Sequence, residues 1–259
     1  MNNLPEEIKQ LIYYGCDLIT LFKISQILNR QIIFKKYEVN YKNELIIYDY
    51  ESKRINKNNH DDITNNDIKF LNNLIKLELD GNTTITYQGI KNLANLTSLN
   101  LGRNANITNK EIKNLTNLTN LNLGFVNEIT NEGIKNLTNL ISLDLNYDED
   151  ITNKGIKNLT NLTSLYLGWN KKITDEGIKN LTNLTNLYLG WDDNITNEGI
   201  KNLTNLTDLN LGENNNITDE GIKNLTNLTN LNLGENKKIT DEGIKNLINL
   251  INIKTITIC

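Results

Sequence analysis

Apolar residues recur along this chain with a period of 22 residues. Each unit repeats the arrangement seen around Leu165 and Leu167, which stand two apart, with Leu162 before them and Ile173 after them. Side chains two apart point to the same face of a β-strand, so the central leucines predict a short strand with one buried face. One unit alone cannot bury that face, whereas stacked neighbours can. The period therefore predicts a solenoid of parallel strands over residues 67–259.

The second half of each unit has the features of a short helix. Thr174 suits a helix N-cap, and Asp175 and Glu176 follow it at the positive end of the helix dipole. Gly177 lowers the helix propensity, so we expect only one or two turns. Asp175 and Lys179 lie four apart, which predicts an ion pair on the helix surface. The same spacing recurs for Asp219 with Lys223 and for Asp241 with Lys245.

An asparagine follows the strand in most units, and its amide can bond the backbone of a turn. Residues 162–174 read L-x-x-L-x-L-x-x-N-x-x-I-T, which resembles the leucine-rich repeat family. The continuation N-x-x-I-T-D-E-G-I is similar to the cysteine-containing subclass, with Asn in the cysteine position. The resemblance implies an α/β leucine-rich repeat solenoid with a curved parallel sheet on the concave side and short helices or helical turns on the convex side. Asp148 and Asp192 are tolerable replacements for the turn asparagine, and Val126 is a defect.

Two positions of the unit carry aromatic residues that the repeat does not require. The position between the strand leucines holds Asn or an acid in most units, but Tyr166 and Tyr188 in two of them. The position two residues after the second leucine holds Arg103 early and Glu213 late in the array. Between these it holds four aromatic residues, here called the aromatic ladder: Phe125, Tyr147, Trp169 and Trp191. Strands stack about 4.8 Å apart, so the ladder should be roughly 15 Å long, on the concave side or its rim.

The six aromatic residues have two interpretations. They can pack on one another and on the glycines before them, which would only stiffen the sheet. Alternatively, they form a binding surface, because six half-exposed aromatic side chains offer several hundred Å² of apolar area, roughly the size of patch that marks a binding site. Arg103 and Glu213 show that the scaffold accepts polar residues at the ladder position. We therefore predict that a protein target binds the concave side through Phe125, Tyr147, Tyr166, Trp169, Tyr188 and Trp191.

The first 44 residues follow a different, helical pattern of apolar spacing. LPEEI at residues 4–8, followed by CDLITL at residues 16–21, is similar to the F-box. That family implies docking on a Skp-type adaptor of a cullin-RING ubiquitin ligase, and hence a substrate-recognition subunit. The adaptor-binding residues would be Leu4, Pro5, Ile8 and Leu18. In the alternative interpretation, the N-terminal helices only cap a free-standing leucine-rich repeat scaffold.

These patterns divide the chain into three parts. Residues 1–44 form the F-box-like helical segment, residues 45–66 a linker or degenerate capping repeat, and residues 67–259 the solenoid. The final unit lacks a polar capping helix, so we expect its apolar residues Leu247, Leu250 and Ile253 to be exposed.

Composition narrows the range of partners. A formal net charge of -4 and a pI near 5.2 argue against nucleic acid, which normally requires basic character. No run of about 18 apolar residues predicts a membrane span, and the N-terminus has no signal pattern. With Cys16 and Cys259 far apart in sequence, no disulfide framework is indicated. We expect a cytoplasmic or nuclear protein.

Catalytic chemistry is not indicated by any motif. His60 is the only histidine, and neither a phosphate-binding loop nor a Ser/His/Asp set is present in the sequence. Carboxylate pairs such as Asp175 and Glu176 recur in most units, whereas catalytic groups would occur once in one cleft. We expect a binding protein without cofactor, metal or enzymatic activity.

Overall fold

The computed structural model describes residues 65–69, 74–82, 84–125, 128–191 and 193–255, together with the backbone of residues 32–34, 37–39 and 44–47. The predicted adaptor-binding residues Leu4, Pro5, Ile8 and Leu18 lie outside the described residues. So do Val126, Asp192, His60 and both cysteines.

The strands of the described residues form one twelve-stranded sheet whose spatial order is the order of the chain. The strands are β1 (Ile32–Phe34), β2 (Tyr37–Val39), β3 (Glu44–Ile47), β4 (Lys76–Glu78), β5 (Ser98–Asn100), β6 (Asn120–Asn122), β7 (Ser142–Asp144), β8 (Ser164–Tyr166), β9 (Asn186–Tyr188), β10 (Asp208–Asn210), β11 (Asn230–Gly234) and β12 (Asn252–Thr255). β2 pairs antiparallel with β1 and β3, and from β3 onward each strand pairs parallel with the next.

A short helix precedes each strand from β4 to β12. The helices are α1 (Asn65–Ile68), α2 (Tyr87–Ile90), α3 (Asn109–Ile112), α4 (Asn131–Ile134), α5 (Asn153–Ile156), α6 (Asp175–Ile178), α7 (Asn197–Ile200), α8 (Asp219–Ile222) and α9 (Asp241–Ile244). Each is a single turn of 4 residues, in agreement with the expectation of one or two turns. None of the described helices is long and apolar enough to cross a membrane.

The core lies between the sheet and the row of helices. Leu165 pairs in register with Leu143 on one side and Leu187 on the other, so equivalent leucines stack from repeat to repeat. Leu165 and Leu167 are fully buried, and Ile173 and Ile178 close the core from the loop and from α6. These contacts confirm the predicted fold, a curved open sheet with alternating short helices.

The regular stacking reaches further towards the N-terminus than residue 67. β3 pairs in parallel with β4 and aligns Leu45 with Leu77, and α1 lies 22 residues before α2. A strand and a helix of the repeat type therefore lie in or beside residues 45–66. β1 and β2 fall inside residues 1–44, so the sheet begins within the part of the chain that we predict to be helical.

Hydrogen bonds between successive helices hold the repeats together on the convex side. In α5, Asn153 accepts from the backbone N–H of Thr174 (2.9 Å), and its Nδ2 donates to the Thr174 hydroxyl (2.8 Å). In α6 the equivalent residue is Asp175, which accepts from both the N–H and the hydroxyl of Thr196, each at 2.7 Å. The first residue of α1 and of α3 to α8 thus binds the N-cap threonine of the next helix. In α2 the first residue is Tyr87, and Thr108 of the next helix is bound instead by Glu111 of its own helix. The sequence pattern assigned Asp175 only to interactions within its own helix, with the dipole and with Lys179.

The predicted ion pairs within the helices form with a different acid. Lys179 Nζ contacts Glu176 Oε2 at 2.5 Å, three residues away, and not Asp175. The reason is that the Asp175 carboxylate is occupied by Thr196 of the next repeat. Lys223 and Lys245 pair in the same way with the glutamates three residues before them, so the predicted pairs of Lys223 with Asp219 and of Lys245 with Asp241 are wrong.

The last described repeat exposes one of the three predicted apolar residues and two that were not predicted. Leu247 is 3% exposed and Leu250 is partly buried against the core, whereas Ile253 on β12 is 47% exposed, as expected. The largest exposure belongs to Ile248 (84%) and Ile251 (78%), which occupy positions held by threonine in the repeat before.

Candidate functional site

The aromatic ladder forms a continuous stack of four rings. The ring centroids of Phe125 and Tyr147 are 4.2 Å apart, those of Tyr147 and Trp169 are 5.7 Å apart, and those of Trp169 and Trp191 are 4.7 Å apart. The angles between neighbouring ring planes are 15°, 13° and 26°, so all three contacts are stacked rather than edge-to-face. The predicted ladder therefore exists as a physical unit.

The stack remains accessible along its length and ends on a cation. Phe125 is 47% exposed, Tyr147 42% and Trp191 45%, while Trp169 is less exposed between its neighbours. At the Phe125 end, the Arg103 guanidinium carbon lies 5.3 Å from the ring centroid, a cation–π contact. The sequence showed Arg103 at the ladder position, but nothing in the pattern predicted that it joins the stack.

Three of the four ladder residues have an unusual backbone conformation. Phe125, Tyr147 and Trp169 have φ values of 63°, 60° and 64°, in the left-handed region, as does Arg103 at 57°. A side chain with a Cβ atom disfavours this region by about 1–2 kcal/mol. Gly81 occupies the same position two repeats before Phe125 with φ of 70°, where no such cost arises.

The backbone changes its path at Trp191. From Gly190 onward the left-handed residue is the glycine before the ladder position, with φ of 57° at Gly190. Correspondingly, the Tyr147 N–H donates forward to the Gly168 carbonyl (2.8 Å), whereas the Glu213 N–H donates backward to the Gly190 carbonyl (2.8 Å). Trp169 and Trp191 therefore lie on either side of this change and still stack.

Tyr166 and Tyr188, here called the tyrosine pair, lie on the concave face of the sheet. Their ring centroids are 6.2 Å apart and their planes are tilted by 36°, and the side chains are 37% and 39% exposed. In the adjacent repeat the equivalent Asn210 accepts a hydrogen bond from the Gly212 N–H at 2.9 Å, which stabilises the turn. A tyrosine cannot make this bond, so the Gly168 N–H donates instead to Asn146 of the preceding repeat (2.6 Å).

The two aromatic groups lie close together but line different surfaces. A Cβ atom on Gly168 or Gly190 would be 3.6 Å from Tyr188 Cε1, so that ring lies beside the glycines that precede the two tryptophans. The tyrosine pair lines one end of a concave groove of about 570 Å³ that continues to Lys254. The ladder lies on the rim.

Acidic side chains surround the ladder on two sides. Phe125 and Tyr147 share a depression of about 480 Å³ with Glu149 and Asp150. Beyond Trp191, Glu213 occupies the ladder position of the next repeat. Desolvation raises the pKa of its carboxyl group most, and the negative charges of Glu235 and Asp193 raise it further. In the sequence, Glu213 indicated only that the ladder position accepts polar residues.

A buried carboxyl group directly follows the ladder residue Tyr147 in the chain. Asp148, next to Tyr147, is fully buried and accepts from the N–H groups of Asp150 (2.9 Å) and Ile151 (2.8 Å) through Oδ1. Desolvation raises the pKa of Asp148 to about 6. The two hydrogen bonds from the N–H groups of Ile151 and Asp150 act in the opposite direction, and the nearby Asp150 charge raises the pKa further. Its role as a replacement for the turn asparagine is confirmed, but its burial was not predicted.

The side chains of this surface are of the types that recognise partner molecules. Among the residues that the structure describes, no group of three or more His, Cys, Asp or Glu side chains could hold a metal ion. The features that converge on one surface are ring edges, carboxylates and a guanidinium group, which are elements of molecular recognition.

Comparison with known proteins identifies the repeat. The family model described as Leucine Rich repeat matches residues 158–182, 202–225 and 224–247. The comparison with curated proteins gives no match.

Solved structures match most of the array. The internalin C2 (inlC2) of Listeria monocytogenes is 30% identical, with a TM-score of 0.59, over 75% of this chain and 84% of its own. The internalin inlF of the same species is 27% identical, with a TM-score of 0.59, over 74% of this chain and 57% of its own. TLR13, solved in complex with ssRNA13, is 21% identical with a TM-score of 0.55, covering 74% of this chain and 34% of its own, which shows the fold alone.

These matches and the sheet register agree on the repeat unit and on its stacking. The proposed subclass and the N-terminal F-box stay predictions. The chain belongs to the leucine-rich repeat family, whose members act as protein-interaction modules.

Proposed function

We propose that the solenoid binds a protein or peptide partner through the aromatic ladder and the tyrosine pair. The observation that carries this proposal is the left-handed backbone of Phe125, Tyr147 and Trp169, with φ between 60° and 64°. Gly81 occupies the same position without strain, so the scaffold does not need a bulky residue there. Side chains retained at a conformational cost of about 1–2 kcal/mol each indicate a function outside the fold.

The tyrosine pair supports the same proposal by a separate argument. Tyr188 replaces a residue whose side chain, in the equivalent Asn210, accepts a hydrogen bond from the turn. Tyrosine at this position cannot accept the hydrogen bond that Asn210 accepts, and the Tyr188 side chain is 39% exposed. Half-exposed Tyr and Trp side chains beside a groove are the residues that most often dominate binding energy at protein interfaces.

The test compares loss of binding with loss of stability. Replacing Trp169 and Trp191 together by Asn should abolish partner binding, because single truncations of such anchors typically cost about 2 kcal/mol or more. Melting should change little, since Asn tolerates the left-handed backbone at residue 169. The control variant Leu165→Ala should do the reverse and lower the unfolding free energy by about 2–5 kcal/mol. A much lower melting temperature in the double Trp variant would show that the ladder is structural packing.

We further propose that this partner is a substrate presented to a ubiquitin ligase, in the cytoplasm or nucleus. Support comes from the sequence alone, namely LPEEI at residues 4–8 and CDLITL at residues 16–21, which are similar to the F-box. In this role Leu4, Pro5, Ile8 and Leu18 contact a Skp-type adaptor while the repeats hold the substrate.

Adaptor binding is tested by variants outside the repeats. Replacing Ile8 and Leu18 by Asp should abolish co-purification of a Skp-type adaptor and leave the melting of the repeats unchanged. If the unmodified chain fails to bind the adaptor at micromolar concentration, the free-standing scaffold replaces the ligase subunit as the proposed role. Binding through the aromatic ladder would be unaffected by that outcome.

A protein partner is favoured over nucleic acid by the charges around the ladder. The chain has a formal net charge of -4, and Glu149, Asp150 and Glu213 lie beside the rings. Phosphate groups would be repelled there. Since TLR13 shares the fold and was solved with ssRNA13, the experiment below includes RNA as a probe.

A further inference from the structure

Carboxylate side chains continue the row of the aromatic ladder beyond Trp191. Glu213 and Glu235 occupy the ladder position in the next two repeats, and strands β9, β10 and β11 pair in register. The Glu213 N–H donates to Gly190 O at 2.8 Å and the Glu235 N–H donates to Gly212 O at 2.9 Å, so the turns follow one another at the same spacing. One rim of the solenoid therefore presents four stacked rings and then two carboxylates.

These carboxylates have no cationic partner within the described part of the chain. On the convex side of the same two repeats, Glu220 and Glu242 each pair with a lysine. No lysine or arginine among the described residues forms such a pair with Glu213, Glu235 or Asp193. Partial desolvation and mutual repulsion raise the pKa of Glu213, and a cation placed among these groups would relieve that repulsion.

At the opposite end of the row the ladder position holds a cation, while Glu149 and Asp150 lie to the side of Phe125 and Tyr147. Arg103 covers the outer face of Phe125, with 5.3 Å between the guanidinium carbon and the ring centroid. Along the ladder position itself, a ligand thus meets a guanidinium group at one end of the row and two carboxylates at the other. Charge arranged in this way fixes the direction in which a linear ligand can bind.

We propose that the ligand of the ladder is an extended peptide segment in which apolar residues are followed by Lys or Arg, with the basic end beside Glu213 and Glu235. This inference rests on the proposed function of the ladder as a protein-binding surface. Four rungs spaced about 4.8 Å apart extend over roughly 15 Å, which corresponds to about four or five extended residues. The two carboxylate rungs add about 10 Å, or about three residues.

The apolar and charged parts of the segment have different roles. Apolar side chains cover the exposed edges of the rings and provide most of the binding energy. The basic residues are held by exposed carboxylates, which contribute modestly to affinity but select the sequence and its direction.

A random peptide library displayed on phage and selected on the intact protein tests the inference. Peptides bound by the unmodified chain and lost on the Trp169→Asn, Trp191→Asn variant should be enriched in Lys or Arg on one side of an apolar run. Enrichment that depends on the tryptophans but lacks this basic bias would overturn the inference and leave the proposed function standing. If no enriched peptide depends on the tryptophans, the proposed function fails and the inference fails with it.

Charge reversal locates the basic end. For an enriched peptide, Glu213→Lys with Glu235→Lys should weaken binding about tenfold or more, because attraction is replaced by repulsion. The matched control is Glu220→Lys with Glu242→Lys, which makes the same change in the same repeats on the convex side and should leave binding within about twofold. Equal effects of both pairs would overturn the inference, since they would reflect net charge alone.

The two tryptophans, which are the only ones in the chain, supply the direct readout. Titration of a peptide with an apolar run and a lysine tract should change their fluorescence at lower concentration than the same peptide with a glutamate tract. A single-stranded RNA oligonucleotide should leave the fluorescence unchanged. Tighter binding of the RNA, or of the glutamate peptide, would overturn the inference.

Discussion

Asp148 and Asn170 occupy equivalent positions in adjacent repeats, and each has one buried side-chain atom without a hydrogen-bond partner, Oδ2 in Asp148 and Nδ2 in Asn170. Other asparagines of this row satisfy their amide by donating to the preceding repeat, as Asn104 Nδ2 does to the Asn82 carbonyl (2.7 Å) and Asn236 Nδ2 to the Asn214 carbonyl (2.6 Å). The row of hydrogen-bonded turn asparagines is therefore interrupted at Asp148 and Asn170, which follow the ladder residues Tyr147 and Trp169 in the chain.

The first prediction is that Asp148→Asn stabilises the protein at neutral pH. Because the folded-state pKa of Asp148 is raised from 3.8 to about 6, the folded protein binds the proton more tightly than the unfolded chain. Its contribution to stability is therefore fully present below about pH 4 and is lost as the pH rises through about 6. The loss is on the order of 3 kcal/mol. Asn carries no charge and should remove this dependence.

Urea unfolding at pH 5 and pH 8 measures the effect. The gain from Asp148→Asn should be larger at pH 8, whereas Glu149→Gln, a similar change at the exposed neighbouring residue, should be nearly neutral at both pH values. A gain of the same size at both pH values would show that burial of the charge is not its cause.

The second prediction concerns the tyrosine pair. Tyr188→Asn should maintain or slightly raise stability, because the new Oδ1 atom can accept from the Gly190 N–H as Asn210 accepts from Gly212 at 2.9 Å. The same change should weaken partner binding by removing an exposed ring. Thermal melting and the peptide titration on one preparation separate the two effects. A clear loss of stability would mean that the ring packs as part of the scaffold.

The third prediction addresses the bonds between successive helices. Asp175→Asn should be tolerated, because Asn153 makes the equivalent contacts to Thr174 at 2.9 and 2.8 Å. Asp175→Ala should lower the unfolding free energy by about 1–3 kcal/mol, since the N–H and hydroxyl of Thr196 lose their acceptor. Urea unfolding of the two variants makes the comparison. Equal unfolding free energies would show that the hydrogen bonds between successive helices contribute no net stability.

The fourth prediction concerns the exposed isoleucines of the last described repeat. Ile248 and Ile251 are 84% and 78% exposed, so a solution of this chain should self-associate through that end. Replacing both by threonine, the residue of the preceding repeat, should reduce association without lowering the melting temperature. Light scattering over a concentration series provides the measurement. A monomer that is unchanged by the substitutions would contradict the prediction.

The 22-residue period was sufficient to predict the strands, the core and the direction of stacking. Leu165 and Leu167 stand two residues apart, which is the period of a strand with one buried face. Because every unit repeats this spacing, the position of a residue within the unit predicts whether its side chain is in the core or on the surface. The aromatic ladder followed from the same sorting, because residues at one position of successive repeats become neighbours.

The remaining features depend on contacts that cross from one repeat to the next. Whether Asp175 binds Lys179 or Thr196 is decided by the distance to the following helix, and a pattern within one helix does not contain that distance. The left-handed backbone at Trp169 and its shift to Gly190 likewise depend on which carbonyl of the next turn is in reach. These features therefore could not be predicted from the pattern of a single repeat.

The contact between Trp169 and Trp191, with ring centroids 4.7 Å apart and planes tilted by 26°, also has a spectroscopic consequence. Two indoles this close couple their electronic transitions and should produce an exciton couplet in circular dichroism. Because the chain contains no other tryptophan, the couplet arises at one junction between two adjacent repeats. A repeat array can unravel from its ends or separate in the middle. Loss of the couplet before the loss of total helix signal would identify separation in the middle, whereas its persistence would identify unravelling from the ends.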